Sequence, residues 1–217
     1  MTSRAWSWTA LALVACAPAA VQLAAPEPKA SLAPVSASEI ASASASAETP
    51  PLLVVAKGTR VLMFGDSMVT SGLGMQVREH VLAKGGTFHW ITKPSSTTLS
   101  WSQGPELDEL LARVRPDIVL VVLVSNELFV PNPRARVGTI RQIVKKIGNR
   151  SCVWIGPPKP WLPEKGILGV LEENAAPCLL FESAKLDLER QKDGIHPTPQ
   201  AGKVWGDAVW RSHFADP

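Results

Sequence analysis

Between residues 60 and 213 the apolar residues switch back and forth between strand and helix periods, and this alternation limits the fold more than any other feature. Residues 60–64 are a short apolar run that reads as a strand. Leu73, Val77 and Val81 then recur at helical spacing, and Gly85-Gly86 stops that helix. Residues 87–92 read as a second strand. Pro105 stands where a first helical residue is expected, ahead of the stripe Leu107, Leu110, Leu111 and Val114. Residues 118–124 are unbroken Ile, Val and Leu, the composition of a central strand covered on both faces. Val137, Ile140, Val144 and Ile147 form the next helical stripe, with Gly148 as its stop. Residues 152–155 predict a fourth strand, closed by Gly156-Pro157-Pro158; a short helix is expected at 163–171 and a fifth strand at 178–181. The last helix takes Thr198 as cap and Pro199 as first residue, and is expected to bury Val204, Trp205, Ala208 and Val209. Five strands alternating with helices predict a three-layer α/β/α domain around a parallel sheet. Ligands of such sheets bind at the carboxyl ends of the strands, so the loops after the first, third and fifth strands are where chemistry is expected.

Ahead of this pattern the chain has a different character. A chain of 217 residues has room for one ordinary domain. Residues 1–4 carry one positive charge and residues 5–15 form a mainly apolar run of signal-peptide length, too short for a membrane-spanning helix of ~20 residues. The run ends in Leu13-Val14-Ala15-Cys16, which resembles the bacterial lipobox; that resemblance implies that Cys16 is lipidated and becomes the first mature residue. The alternative is an ordinary secretory signal cleaved near Ala15 or Ala20. Residues 17–57 are rich in Ala, Ser and Pro without apolar periodicity and read as a flexible tether, with a span of roughly 35 Å if it behaves as a Gly/Ser coil. The expected organisation is a signal peptide at 1–15, a tether at 16–57 and a folded domain at 58–217. Cys152 and Cys178 remain; an exported protein sits where disulfides persist, and a bridge and two buried thiols stay equally open.

The formal net charge of +3 is small, and the basic residues are scattered rather than striped, which argues against nucleic acid as a partner. Lys145, Lys146 and Arg150 read as a solvated helix face. No cluster has metal-ligand spacing and no Gly-rich phosphate loop is present, so no cofactor is expected.

The chemistry-bearing residues fall in the expected loops. After the first strand comes Gly65-Asp66-Ser67. A glycine at a sharp strand exit turns without a Cβ clash, and Ser67 at a helix mouth faces free N–H groups that favour a developing anion. Alternatively the turn is plain and Asp66 or Ser67 only caps the helix. Near the C-terminus stands Asp193-Gly194-Ile195-His196-Pro197. A carboxylate three residues ahead of a histidine in a tight loop accepts the Nδ1 proton and leaves Nε2 as base, which a serine hydroxyl needs before it attacks. His80, His89 and His213 fall on a helix, in a strand and on the last turn, so His196 is the best-placed base. After the third strand Asn126 is positioned to aim its amide at an oxyanion, or to organise its own loop. Trp101 and Trp161 either flank the cleft, where a tryptophan face suits a sugar ring, or cover the ends of the sheet.

In combination these blocks resemble the SGNH (GDSL-type) hydrolases, over residues 60–213. Gly65-Asp66-Ser67 matches the first block, Asn126 the third, and Asp193 with His196 the last. The resemblance implies a five-stranded sheet of order 2-1-3-4-5 and catalysis by Ser67, His196 and Asp193. It implies an oxyanion hole made by the Ser67 amide, Asn126 and a second-block residue. It also favours a Cys152–Cys178 bridge, because strands four and five then lie side by side. Two blocks depart from the pattern. Val124 and Glu127 stand where the third block usually has Gly and Asp, and the second-block stretch at 95–99 has no glycine, with Thr98 as its nearest match. The function implied is a serine esterase acting on an ester, expected on an acylated cell-envelope carbohydrate, with the membrane as partner through the lipid anchor. An O-acyltransferase on the same scaffold and a non-catalytic carbohydrate-binding or scaffold protein of the envelope are the alternatives.

Overall fold

Two stripes of side chains alternate along each strand because successive residues point to opposite faces, and in the three central strands both stripes are largely apolar and buried. The computed structural model describes residues 51–158 and 166–215. Strands β1 (Arg60–Gly65), β2 (Thr87–Thr92), β3 (Ile118–Val122), β4 (Ser151–Ile155) and β5 (Leu179–Phe181) form one parallel sheet in the order β2-β1-β3-β4-β5. Helices α1 (Leu73–Ala83) and α6 (Pro199–His213) lie on the face that carries Val61, Met63, Leu120, Val122 and Val153. Helices α2 (Thr98–Ser102), α3 (Glu106–Val114), α4 (Val137–Ile147) and α5 (Ile167–Asn174) cover the face of Leu62, Phe64, Val119, Val121 and Trp154. This is the three-layer α/β/α architecture expected, with the expected strand order.

Register decides where the loops meet. Gly65 lies beside Thr92 and Val122, Val122 beside Ile155, and Ile155 beside Phe181. The five strands thus end in one row, and the loops that follow share one rim. At the head of α6, Thr198 accepts a hydrogen bond from the Ala201 amide, with Pro199 first in the helix, as its cap chemistry demands. Gly202 on that helix is required by close approach: a Cβ there would stand 1.6 Å from the Ser71 carbonyl oxygen. No described helix is long and apolar enough to cross a membrane.

Several expectations need correction. The folded unit does not begin at residue 58: Leu53 pairs with Phe214, exchanging backbone hydrogen bonds with His213 and Ala215, and Val55 is buried. Val204 points to solvent at 49% exposure while its neighbours Trp205, Ala208 and Val209 are buried. The stretch 98–102, read without an element, is helix α2, started by a Thr97–Ser100 capping box. The Lys146 ammonium is no solvated group; it donates to the Gly104 carbonyl and to Asp108. The helix expected at 163–171 is α5, beginning at Ile167; residues 163–165 and Trp161 lie outside the described residues, as do Cys16, the signal segment and the tether up to residue 50.

Cys152 and Cys178 are joined, across 26 residues of chain. The bridge ties β4 to the lead-in of β5 and deprives the unfolded chain of loop freedom worth about 3 kcal/mol. Replacing both cysteines by alanine is expected to lower the thermal midpoint by roughly 10 °C, measured by circular dichroism under non-reducing conditions. An unchanged midpoint would show that the bridge adds no stability.

Candidate active site

At the end of β1 the chain must turn while pressed against β3. A Cβ on Gly65 would lie 1.9 Å from the Val122 carbonyl oxygen, so only glycine fits. The same carbonyl accepts the Asp66 amide at 3.0 Å. Asp66 then caps a single 3-10 turn, Ser67–Thr70, by accepting the Met68 amide at 3.0 Å. Ser67 opens that turn; its own N–H has no acceptor among the described residues.

Ser67 Oγ lies 2.8 Å from His196 Nε2. On the other side of the imidazole, Nδ1 lies 2.7 Å from Asp193 Oδ2. The other carboxylate oxygen of Asp193 accepts the Ile195 and His196 amides at 2.8 and 3.0 Å. Gly194, at φ +69, makes the bend that lets a carboxylate reach a ring three residues on. The loop is clamped at both ends: Gln191 N–H donates to the His196 carbonyl and Thr198 N–H to Glu189. Hydrogen bonds from the imidazole and the two amides hold the Asp193 carboxyl at about 2, below the usual carboxylate range. Asp193 is therefore an anion throughout the neutral range, and it favours the tautomer with the proton on Nδ1.

The remaining expected residues meet at the same rim with one correction. The Asn126 side-chain amide donates to the Ser96 carbonyl at 2.9 Å, which holds it between the loops after β2 and β3. Thr98 is not a donor to this site: it is fully buried as the first residue of α2, and its N–H is taken by the Glu127 carboxylate at 2.7 Å. The neighbouring amides are also engaged, Ser96 with the Lys93 carbonyl and Thr97 with Ser100 Oγ. The left-handed residue of this stretch is Ser95, at φ +59. Trp101 is in the core at 0% exposure, its indole N–H on Ser96 Oγ, and does not flank the cleft.

Both departures in the third block now have physical consequences. Val124 takes φ +78, a conformation natural to glycine and strained by about 1–3 kcal/mol in a β-branched residue. Its complete burial offsets that cost by about 1.5–3 kcal/mol. Glu127 is fully buried, accepting from Thr98 N, from Thr98 Oγ1 at 2.8 Å and from Arg136 Nε at 2.6 Å. Sequence reasoning missed this clasp, because its partners lie 29 and 9 residues away with no local periodicity to link them. Among the described residues no three His, Cys, Asp or Glu side chains are grouped as a metal site requires.

A cavity of 470 Å³ opens beside the site, lined by Met68, Asn126, Leu128, Phe129, Val130 and Ile195 among others. Asp66 lies at 0% exposure behind Ser67. Burial pushes its carboxyl up to about 6, against the pull of the Met68 amide and of the hydroxyl and amide of Ser125.

No family profile matches the chain. It is similar to Protein BcsX of Komagataeibacter xylinus, 26% identical over 121 residues, which are 48% of this chain and 46% of BcsX. The likeness thus spans about half the length of that curated relative. In structure the chain is similar to the psychrotrophic esterase EstA of Pseudoalteromonas sp., with a TM-score of 0.53 at 19% identity, over 70% of this chain and 94% of EstA. It is similar also to a catalytic mutant of Axe2, an acetylxylan esterase of Geobacillus stearothermophilus, with a TM-score of 0.57 at 13% identity, over 75% and 97%. A third neighbour is AlinE4, an SGNH-hydrolase family esterase, with a TM-score of 0.51 at 18% identity, over 72% and 95%. At these identities the likeness is one of fold.

The raised Asp66 carboxyl sets a pH signature. Its folded value lies above the unfolded one, so the stability it confers is present below about pH 4 and is lost as pH rises through about 6. The unfolding free energy of the native chain minus that of Asp66→Asn is expected to fall by about 2 kcal/mol between pH 4 and pH 7. Paired denaturant titrations check this; a pH-independent difference would refute it.

Proposed function

We propose that the chain is a serine esterase that hydrolyses an ester through an acyl-enzyme on Ser67. The observation that carries the proposal is the unbroken chain from Ser67 Oγ to His196 Nε2 at 2.8 Å and from His196 Nδ1 to Asp193 at 2.7 Å. It stands at the carboxyl rim of a parallel sheet, where such folds bind their ligands. The geometry supports a role for each residue. His196 takes the hydroxyl proton as Ser67 attacks the carbonyl carbon, and Asp193 stabilises the imidazolium that forms. The tetrahedral oxyanion is held by the Ser67 N–H and by the Asn126 amide hydrogen not spent on Ser96. His196 returns its proton to the leaving alcohol, then activates the water that releases the acid.

The finer reading is an acylated carbohydrate of the cell envelope as substrate and an exported lipoprotein as the form of the enzyme. Two observations support it. The bridged cysteines suit an oxidising compartment, and Leu13-Val14-Ala15-Cys16 resembles a lipidation signal at Cys16. Among the fold neighbours, Axe2 is an acetylxylan esterase.

Ser67→Ala is expected to lower turnover of p-nitrophenyl acetate at least about 10³-fold while preserving the circular dichroism spectrum. Asn126→Ala is expected to cost ~10²–10³-fold in kcat. A fluorophosphonate probe should label the native chain at Ser67. Unlabelled serine, or full turnover by the alanine variant, would rule out the acyl-enzyme.

A further inference from the structure

The 470 Å³ cavity beside Ser67 has the wrong chemistry for a sugar and the right chemistry for a hydrocarbon chain. Its wall includes Met68, Leu128, Phe129, Val130, Pro158 and Ile195, and among the described lining residues only Ser125 and Asn126 bring polar side chains. A sugar ring brings several hydroxyl groups that need partners when removed from water; among the described lining residues there is no charged side chain and few donors stand ready. Of the two tryptophans expected as a sugar platform, Trp101 is in the core and Trp161 lies outside the described residues. The volume falls in the range of a small-molecule pocket. Two of the exposed large apolar side chains, Phe129 at 69% and Ile195 at 51%, flank this opening. Apolar surface left wet at a concave site is surface that an apolar ligand stabilises by covering.

The placement ties the cavity to the chemistry. Met68 follows Ser67, Ile195 precedes His196, and Asn126 is the expected oxyanion donor, so the cavity touches all three arms of the site. The geometry points to a subsite for a medium-length aliphatic chain attached to the scissile ester. This rests on the reading of Ser67 as the residue that attacks that ester. The acylated carbohydrate expected from the sequence is then an ester of an acid longer than acetic, or the substrate is an aliphatic ester of another alcohol. Both present the same chain to the same wall.

The test separates the two sources. kcat/KM is measured for p-nitrophenyl esters from acetate to octanoate, which lengthen the acyl side, and for acetates of alcohols from ethanol to hexanol, which lengthen the other. In one series the value is expected to rise about three- to fourfold per methylene until the cavity is filled. Val130→Trp, which fills the space, should flatten that series. Phe129→Ser, at an exposed position, should reduce the gain per methylene without threatening the fold. Binding of acetate, hexanoate and octanoate, and of ethanol and hexanol, to Ser67→Ala reads the pocket without turnover. Chain-length-dependent binding that Val130→Trp removes would sustain the subsite even if no ester were cleaved and Ser67 went unlabelled, a result that sinks only the esterase reading. Two flat or falling ester series, together with binding indifferent to chain length, would overturn the inference.

Discussion

A side chain at residue 65 cannot coexist with β3, because the Val122 carbonyl oxygen occupies its place at 1.9 Å. That contact draws β1 tight against its neighbour, lets the Asp66 amide close on the same carbonyl, and brings Ser67 out at the mouth of a 3-10 turn. The rest of the site depends on it. Because the five strands end in one row, the loops holding Ser67, Asn126 and the Ser96 carbonyl meet at a common rim, and α6 needs only to deliver His196 there. That delivery relies on a second close approach, Gly202 against Ser71, which seats the head of α6 on the turn that follows Ser67. Two glycines thus fix the hydroxyl and the imidazole relative to one another before either meets a substrate.

The sheet was legible in the sequence because its strands are nearly pure apolar runs bounded by glycine and proline. β2 and α4 have the bounds their periodicity predicts, and β3 stops two residues short of its apolar run. It stops there because Val124 bends into the left-handed region, which no apolar pattern announces. The short helix α2 stayed hidden for a related reason: its Ser, Thr and Leu residues carry no stripe, and a capping box starts it instead. Val204 was misplaced because a stripe of Val, Trp, Ala and Val exceeds the arc of α6 that touches the sheet.

Of the candidate site, the local part was readable and the long-range part was not. Asp193 and His196 are three residues apart, and their loop chemistry alone implies the pairing. Serine, asparagine and histidine were placed at one rim by the rule for parallel sheets together with a family resemblance. What the sequence left dark was the fate of the second-block amides. Thr98 matched by position, but a position in a sequence does not tell which acceptor an N–H has already found. The acceptor is Glu127, and its hold on Thr98 was invisible at a separation of 29 residues.

Glu127 also bears on how the two proposed oxyanion donors can hold an anion. Its carboxylate is buried one residue from Asn126, where an unpaired negative charge in a low dielectric would oppose the charge that develops on the substrate oxygen. Arg136 at 2.6 Å cancels that field, and the Thr98 amide and hydroxyl satisfy the remaining lone pairs. Asp66 presents the same problem on the Ser67 side with no ion pair among the described residues, and burial raises its carboxyl instead, toward the neutral form. The two buried acids near the proposed oxyanion thus differ: Glu127 is answered by a counter-ion, whereas Asp66 keeps its proton only up to about pH 6. Above that pH Asp66 is itself an anion and adds an opposing field on the Ser67 side, whereas the Arg136 pairing keeps the field of Glu127 small at the Ser67 N–H and the Asn126 amide.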